Sequence, residues 1–261
     1  MIRFSASSPP VRYGIPAGAK REILSSIKTR FHSWGQSLAS HDEDYVDPEE
    51  LDPAEVIGPP RQLIEDAERL LTQLEHSGPD LSPRDCIILF VSVADLRLTD
   101  WGRVEMLWTP ERRRKVEVAS RQLYGRLQAQ TGLNRTALLD LLESGIQELI
   151  EDSRISLEQH EEIRRTHSEP WHYNTSYEFD SEVIFPVDEI GYILELLRDL
   201  RVELREGTAA LVKQLDSTLR MSLPEIAEEY RRGGDSIDSS RPDMYPESFW
   251  WKRLPGAKPI A

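Results

Sequence analysis

Four consecutive cations, Arg112, Arg113, Arg114 and Lys115, follow Thr109-Pro110-Glu111. With Arg103, Arg121, Arg126 and Arg135 they make eight basic residues between Trp101 and Arg135, against the acids Glu105, Glu111 and Glu117. The whole chain has a formal charge of −14, so the sign reverses locally. Such a reversal marks a surface for an anionic partner, and guanidinium groups suit bidentate capture of phosphate or carboxylate. Cations in the first turn after Pro110 also oppose the helix dipole, a placement that costs local stability. Pairing with the chain's own acidic loop, residues 40–58, accounts for the run equally well. A second pair is Arg154 and His160, where an imidazole can move a proton while a guanidinium steadies a phosphate. A third group is the aromatic cluster Tyr245, Phe249, Trp250 and Trp251, followed by Lys252 and Arg253. Trp250, Trp251 and Arg253 are of the types favoured as anchors on a protein partner. The alternative is that this tail folds back on its own domain.

Other constellations fail on spacing. Gly14-Ile15-Pro16-Ala17-Gly18-Ala19-Lys20 is one residue short of a phosphate loop, and Arg21 stands where Ser or Thr is needed. Asp42, Asp44 and Asp47 lack the central Gly and distal Glu of a calcium loop. His160 and His167 lie seven residues apart, about 10 Å along a helix, too far to share a metal. The sequence thus implies neither a metal nor a cofactor, and it favours a non-catalytic protein. Arginine outnumbers lysine by 26 to 6, but the arginines are spread through the chain and read as codon bias.

The elements that position these groups read as helices. Ile23, Ile27, Phe31 and Trp34 follow helical spacing after an extended arm, residues 1–17. The acidic loop 40–58 is held out of helix by Asp47-Pro48 and Asp52-Pro53. Pro59-Pro60 opens a helix with Leu63, Ala67, Leu70 and Leu74 on one face, closed by Gly78-Pro79. Ser82-Pro83-Arg84-Asp85 is a helix start, so the apolar run 86–94 reads as a buried helix in preference to a buried strand. A third helix runs from Thr109 to about Gly132. Asn134 caps a fourth, and Ser156-Leu157-Glu158-Gln159 fits the capping box of another. Tyr177, Phe179, Val183 and Phe185 suit a short β-hairpin near 177–187 or a packed loop. One long helix is expected at 187–219, with an apolar seam over 190–211 that can pair with a second copy, then a short helix Leu223–Arg232. The expected fold is a mostly all-α multi-helix bundle over 18–232, followed by a flexible aromatic tail, 233–261.

Two local resemblances attach to these elements. Leu127-Gln128-Ala129-Gln130-Thr131-Gly132-Leu133-Asn134-Arg135-Thr136-Ala137-Leu138, within residues 121–143, resembles a helix-turn-helix DNA-binding unit. The resemblance implies a turn at Gly132, packing by Leu127, Leu133, Leu138 and Leu141, and base contacts from Asn134, Arg135 and Thr136. The phrase Gly-Leu-Asn-Arg-Thr is also similar to ribbon-helix-helix repressors, with Lys115-Val116-Glu117-Val118 in the place of their strand. Gln128 departs from the Ala usual in helix-turn-helix units. The spacing Arg154-x5-His160 is similar to that of HEPN-type ribonucleases, which implies an RNA-cleaving centre shared by two protomers; Ile155 replaces the polar residue usual after the Arg.

The single cysteine, Cys86, excludes an intramolecular disulfide, and no apolar run approaches the twenty residues of a membrane span. A cytoplasmic protein is expected. The leading functional expectation is an acidic helical adaptor or assembly subunit whose segment 103–135 binds an anionic partner, with nucleic acid a candidate. The alternatives are the HEPN-like ribonuclease and an acidic inhibitor or immunity-type protein of a basic nuclease.

Overall fold

A computed structural model describes residues 58–99, 109–166, 179–233, 246 and 248–254. All of them belong to the unit Asp52–Ala261. The arm, most of the acidic loop and segment 100–108 lie outside the described residues, as do His167 and His172. Six α-helices and no strand occur among the described residues: α1 (Gly58–Ser77), α2 (Pro83–Leu98), α3 (Pro110–Leu133), α4 (Arg135–Thr166), α5 (Phe185–Leu200) and α6 (Glu206–Gly233). A π turn (Asp180–Ile184) leads into α5, and a 3-10 turn (Trp250–Arg253) lies near the chain end. None of these helices is long and apolar enough to cross a membrane.

The run at 86–94 is helical and forms the hub. Ser82 Oγ accepts from Asp85 N (3.0 Å) and donates to Asp85 Oδ2 (2.7 Å), so the start signal in the sequence is made in full. Behind it Cys86, Leu89, Phe90, Val93 and Ala94 are buried, and α2 packs against α1, α3, α4 and α5. A helix apolar on all sides has to be surrounded, which sets the layout of the bundle. Ala67, Leu70, Leu71 and Leu74 of α1 and Leu138, Leu142 and Ile146 of α4 complete the core on two sides. At Gly145 a Cβ would lie 2.5 Å from Ile87 Cγ1 and 3.0 Å from the Pro83 carbonyl oxygen, so the missing side chain lets α2 and α4 touch.

Several expected boundaries move. α4 runs unbroken through Ser156, so the capping box there is not used. The described part of the expected hairpin is the π turn and the start of α5, with Phe179, Val183 and Val187 buried four residues apart. The expected long helix 187–219 is broken at Arg201, which adopts left-handed φ 56°, ψ 42°. Arg201 N donates to Arg198 O (3.1 Å) and Val202 N to Leu197 O (3.0 Å), the paired bonds of a Schellman stop. The hydrophobic contact that usually closes this stop is supplied by buried Leu197 and Val202. Glu143 of α4 then accepts from Arg205 N (2.5 Å), covering the start of α6 with a negative charge. The expected short helix at 223–232 is part of α6, which runs through the exposed Pro224.

Candidate functional site

α3 buries one stripe, Val116, Ser120, Leu123, Leu127 and Thr131, spaced four, three, four and four residues apart. That stripe fixes the opposite side outward. Arg113, Arg114, Lys115, Val118, Arg121, Gly125 and Gln128 are exposed, and Arg112 is half-buried. Thr109 caps the helix, its Oγ1 accepting from Arg112 N (3.3 Å). α3 holds six basic residues against two acidic ones. Glu117 lies 3.4 Å from Arg113 Nε, while Arg121 Nε donates to the Glu117 carbonyl (3.2 Å). Arg126 serves the fold instead. It grips Glu75 of α1 through Nε (2.9 Å) and Nη2 (2.7 Å), a pair that holds the Glu75 carboxyl below its usual range. The cationic residues therefore gather in the first half of α3, where the run Arg112 to Lys115 wraps around the helix start and Arg121 continues the side of Arg114.

The helix-turn-helix geometry is not formed. Gly132 lies inside α3, and a single residue, Asn134, joins α3 to α4. Its N–H donates to Gln130 O (2.8 Å), its carbonyl accepts from Leu138 N (3.0 Å), and its side chain donates to Gln130 Oε1 (3.1 Å). Leu133, expected in the helix–helix contact, is 77% exposed. Residues 115–118 are helical, so no repressor-like strand exists there. Arg135 and Thr136 are exposed at the start of α4, roughly 30 Å along the helix from Arg114, not beside the cationic run.

Arg154 and His160 are not brought together. Six residues on a helix are turned about 120° apart, and here one side chain meets water and the other the core. Arg154 bonds Glu151 (2.8 Å) and Glu158, and the Glu151 bond chiefly raises its pKa. His160 is 4% exposed, its ring packed edge-on against Phe179 (5.2 Å), with Nε2 3.7 Å from Glu182 Oε2. Within one chain the imidazole is buried and the guanidinium is ion-paired on a different face of α4. No group of three metal-ligating side chains occurs among the described residues.

The aromatic tail folds back on its own domain. Ser248 Oγ donates to Glu195 (2.6 Å), Trp250 Nε1 to Asp216 (2.7 Å) and Trp251 Nε1 to Asp188 (2.7 Å). Lys252, 1% exposed, places Nζ 2.6 Å from the other Asp188 oxygen. Phe249 and Trp251 are buried, and the Arg220 guanidinium covers Trp250 at 4.4 Å. Trp251, expected as a partner anchor, is thus spent inside the chain, its indole N–H bonded to half-buried Asp188. The expected self-pairing seam is consumed likewise: Ile190, Ile193 and Leu197 belong to the core, and the break at Arg201 turns Leu211 onto a different helix.

Sequence reasoning missed the acceptors Asp188, Glu195 and Asp216, and Gly191 with them. A Cβ on Gly191 would lie 2.7 Å from Phe249 Cζ, so α5 carries a notch for that ring. The signal was present, since a glycine inside an apolar helix costs about 1 kcal/mol and needs a packing reason. No protein-family model, no curated protein and no solved structure matches the chain.

Proposed function

We propose that the chain is a non-catalytic interaction protein, an acidic helical adaptor or assembly subunit whose basic segment 103–135 binds an anionic partner, with nucleic acid the leading candidate. The observation that carries this reading is the exposure of Arg113, Arg114, Lys115 and Arg121 in the first half of α3, with Arg114 and Arg121 on the side opposite a packed stripe. Three of them follow directly on the first turn, at the helix end where the dipole repels cations. Two turns separate Arg114 from Arg121, about 10 Å along the axis, so the face offers an extended row of contacts. Polyanions are held through such rows by release of counterions.

The test is fluorescence anisotropy of the full chain with duplex DNA, single-stranded DNA and RNA over a salt series. It is repeated with Arg113, Arg114, Lys115 and Arg121 changed to Gln. Binding that weakens with salt is expected, and in the quadruple variant it should be much weaker, with the log–log slope on duplex DNA shallower by roughly three to four. Absence of binding to all three probes at low salt would overturn the nucleic-acid reading.

A further inference from the structure

The tail contacts have the form of a recognised peptide. Within five residues, Ser248 to Lys252, every side chain engages a complementary feature of α5 or α6. Glu195 accepts from the serine, the notch at Gly191 receives Phe249, Asp216 accepts from Trp250, and Asp188 binds both the Trp251 indole and the Lys252 ammonium. Three carboxylates thus meet three N–H or O–H donors and one cation, set around an apolar floor. The seated segment does not fill the groove. Beside Trp251 a cleft of about 440 Å³ continues between the two helices, with half-buried Leu194 and Val212 on its wall, buried Leu215 and Leu219 at its base, and Lys213 and Asp216 at its edge.

We infer that the α5–α6 groove is a docking site for a basic–aromatic peptide segment of a partner protein, and that residues 248–254 occupy it in cis as a displaceable plug. The partner segment has the chemistry the groove already reads: a hydroxyl, a ring for the Gly191 notch, indole N–H donors and a lysine for Asp188. Its additional apolar side chains fill the cleft that the chain's own end leaves open. Charge complementarity selects against acidic peptides, since Asp188, Glu195 and Asp216 all face the occupant. The plug belongs to the same chain as α6, with 14 residues between Gly233 and Ser248, so its rebinding is intramolecular. An outside peptide therefore competes only when it binds better or when the plug is weakened. The inference is independent of the cationic face on α3.

The experiment titrates a fluorescein-labelled peptide with the sequence of residues 246–254 into the full chain, followed by anisotropy. Three proteins are compared: wild type, the plug-weakened variant Phe249→Ala/Trp251→Ala, and that variant with Gly191→Leu added. The wild type should bind weakly, the plug-weakened chain roughly tenfold tighter or more, and the third protein no better than a peptide control with Lys changed to Glu. A plug-weakened chain that keeps its helical circular dichroism and cooperative melt yet gains no affinity overturns the inference. Loss of the cooperative melt in that chain overturns it too, because the segment would then be core and not plug. Nucleic-acid binding through α3 is read separately, so the two failures are distinguishable.

Discussion

Glycine shows how one residue type takes opposite signs according to what faces it. Gly125 in α3 is exposed with nothing within 4 Å of a would-be Cβ. Gly125→Ala should therefore stabilise the chain by about 0.5–1 kcal/mol, the ordinary gain from restricting the unfolded backbone. Gly145→Ala meets Ile87 and the Pro83 carbonyl, and a backbone oxygen gives way less readily than a side-chain end. It should destabilise by about 1–3 kcal/mol. Urea melts of the two variants beside wild type check both signs, and a stabilising Gly145→Ala would remove the close α2–α4 approach. Cys86 gives a pH-dependent case. Burial pushes its thiol up to about 12, with nearby Asp85 adding to the shift. An unfolded cysteine ionises near 8.5 to 9, so the folded chain holds the proton more tightly. That preference is intact below about pH 9 and drains away as pH rises toward 12, by up to ~1.4 kcal/mol per pH unit. Stability measured from pH 8 to 10.5 should fall less steeply in Cys86→Ala than in wild type. Equal slopes would show that the buried thiol carries no part of the alkaline loss.

Helix boundaries account for most of what the sequence left illegible. The mostly helical architecture, the starts at Ser82 and Thr109 and the apolar faces of α1 and α2 followed from capping chemistry and period. The stop at Arg201 did not, because the residue that adopts the left-handed conformation is Arg, without the glycine that usually signals it. Its only trace is the pair Leu197 and Val202, which also suits a continuing helix. The separate short helix expected at 223–232 was an error in the other direction, since α6 runs unbroken through Pro224. At the tail, the aromatic cluster was visible, but its acceptors lie 34 to 63 residues away, and no local pattern links them. The break makes its own prediction. A non-glycine residue in left-handed geometry costs about 1–2 kcal/mol, and Arg201 is exposed. Arg201→Gly should therefore raise the melting temperature, by roughly 2–4 °C per kcal/mol for a domain of this size. A lowered melting point would mean that Arg201 contributes contacts worth more than its backbone strain.

The whole molecule carries a formal charge of −14, yet α3 has six basic residues to two acidic. Salt should therefore act on folding and binding with opposite signs. Self-repulsion of a net-negative chain works against the compact state, and the Debye length shrinks from about 10 Å at 0.1 M to about 3 Å at 1 M. Screening also weakens ion pairs such as Arg61–Glu65, Arg165–Glu162 and Arg220–Asp216, but these lie along single helices with largely exposed partners. Pairs of that kind contribute about 0.3–0.5 kcal/mol each at most, so relief of the long-range repulsion prevails. The buried contact of Lys252 with Asp188 is shielded from solvent and changes little. Raising sodium chloride from 0.05 to 0.5 M should thus lift the melting temperature by a few degrees, on the order of 1 kcal/mol. Over the same range, the affinity of α3 for a polyanion should fall by orders of magnitude. A melting point that falls with salt would show that local pairs, and not net charge, govern the fold. An affinity that ignores salt would detach binding from the cationic face, whatever the folding curve does. Sodium chloride is the salt of choice, because sulfate strengthens apolar burial by exclusion and would raise the melting point for a different reason.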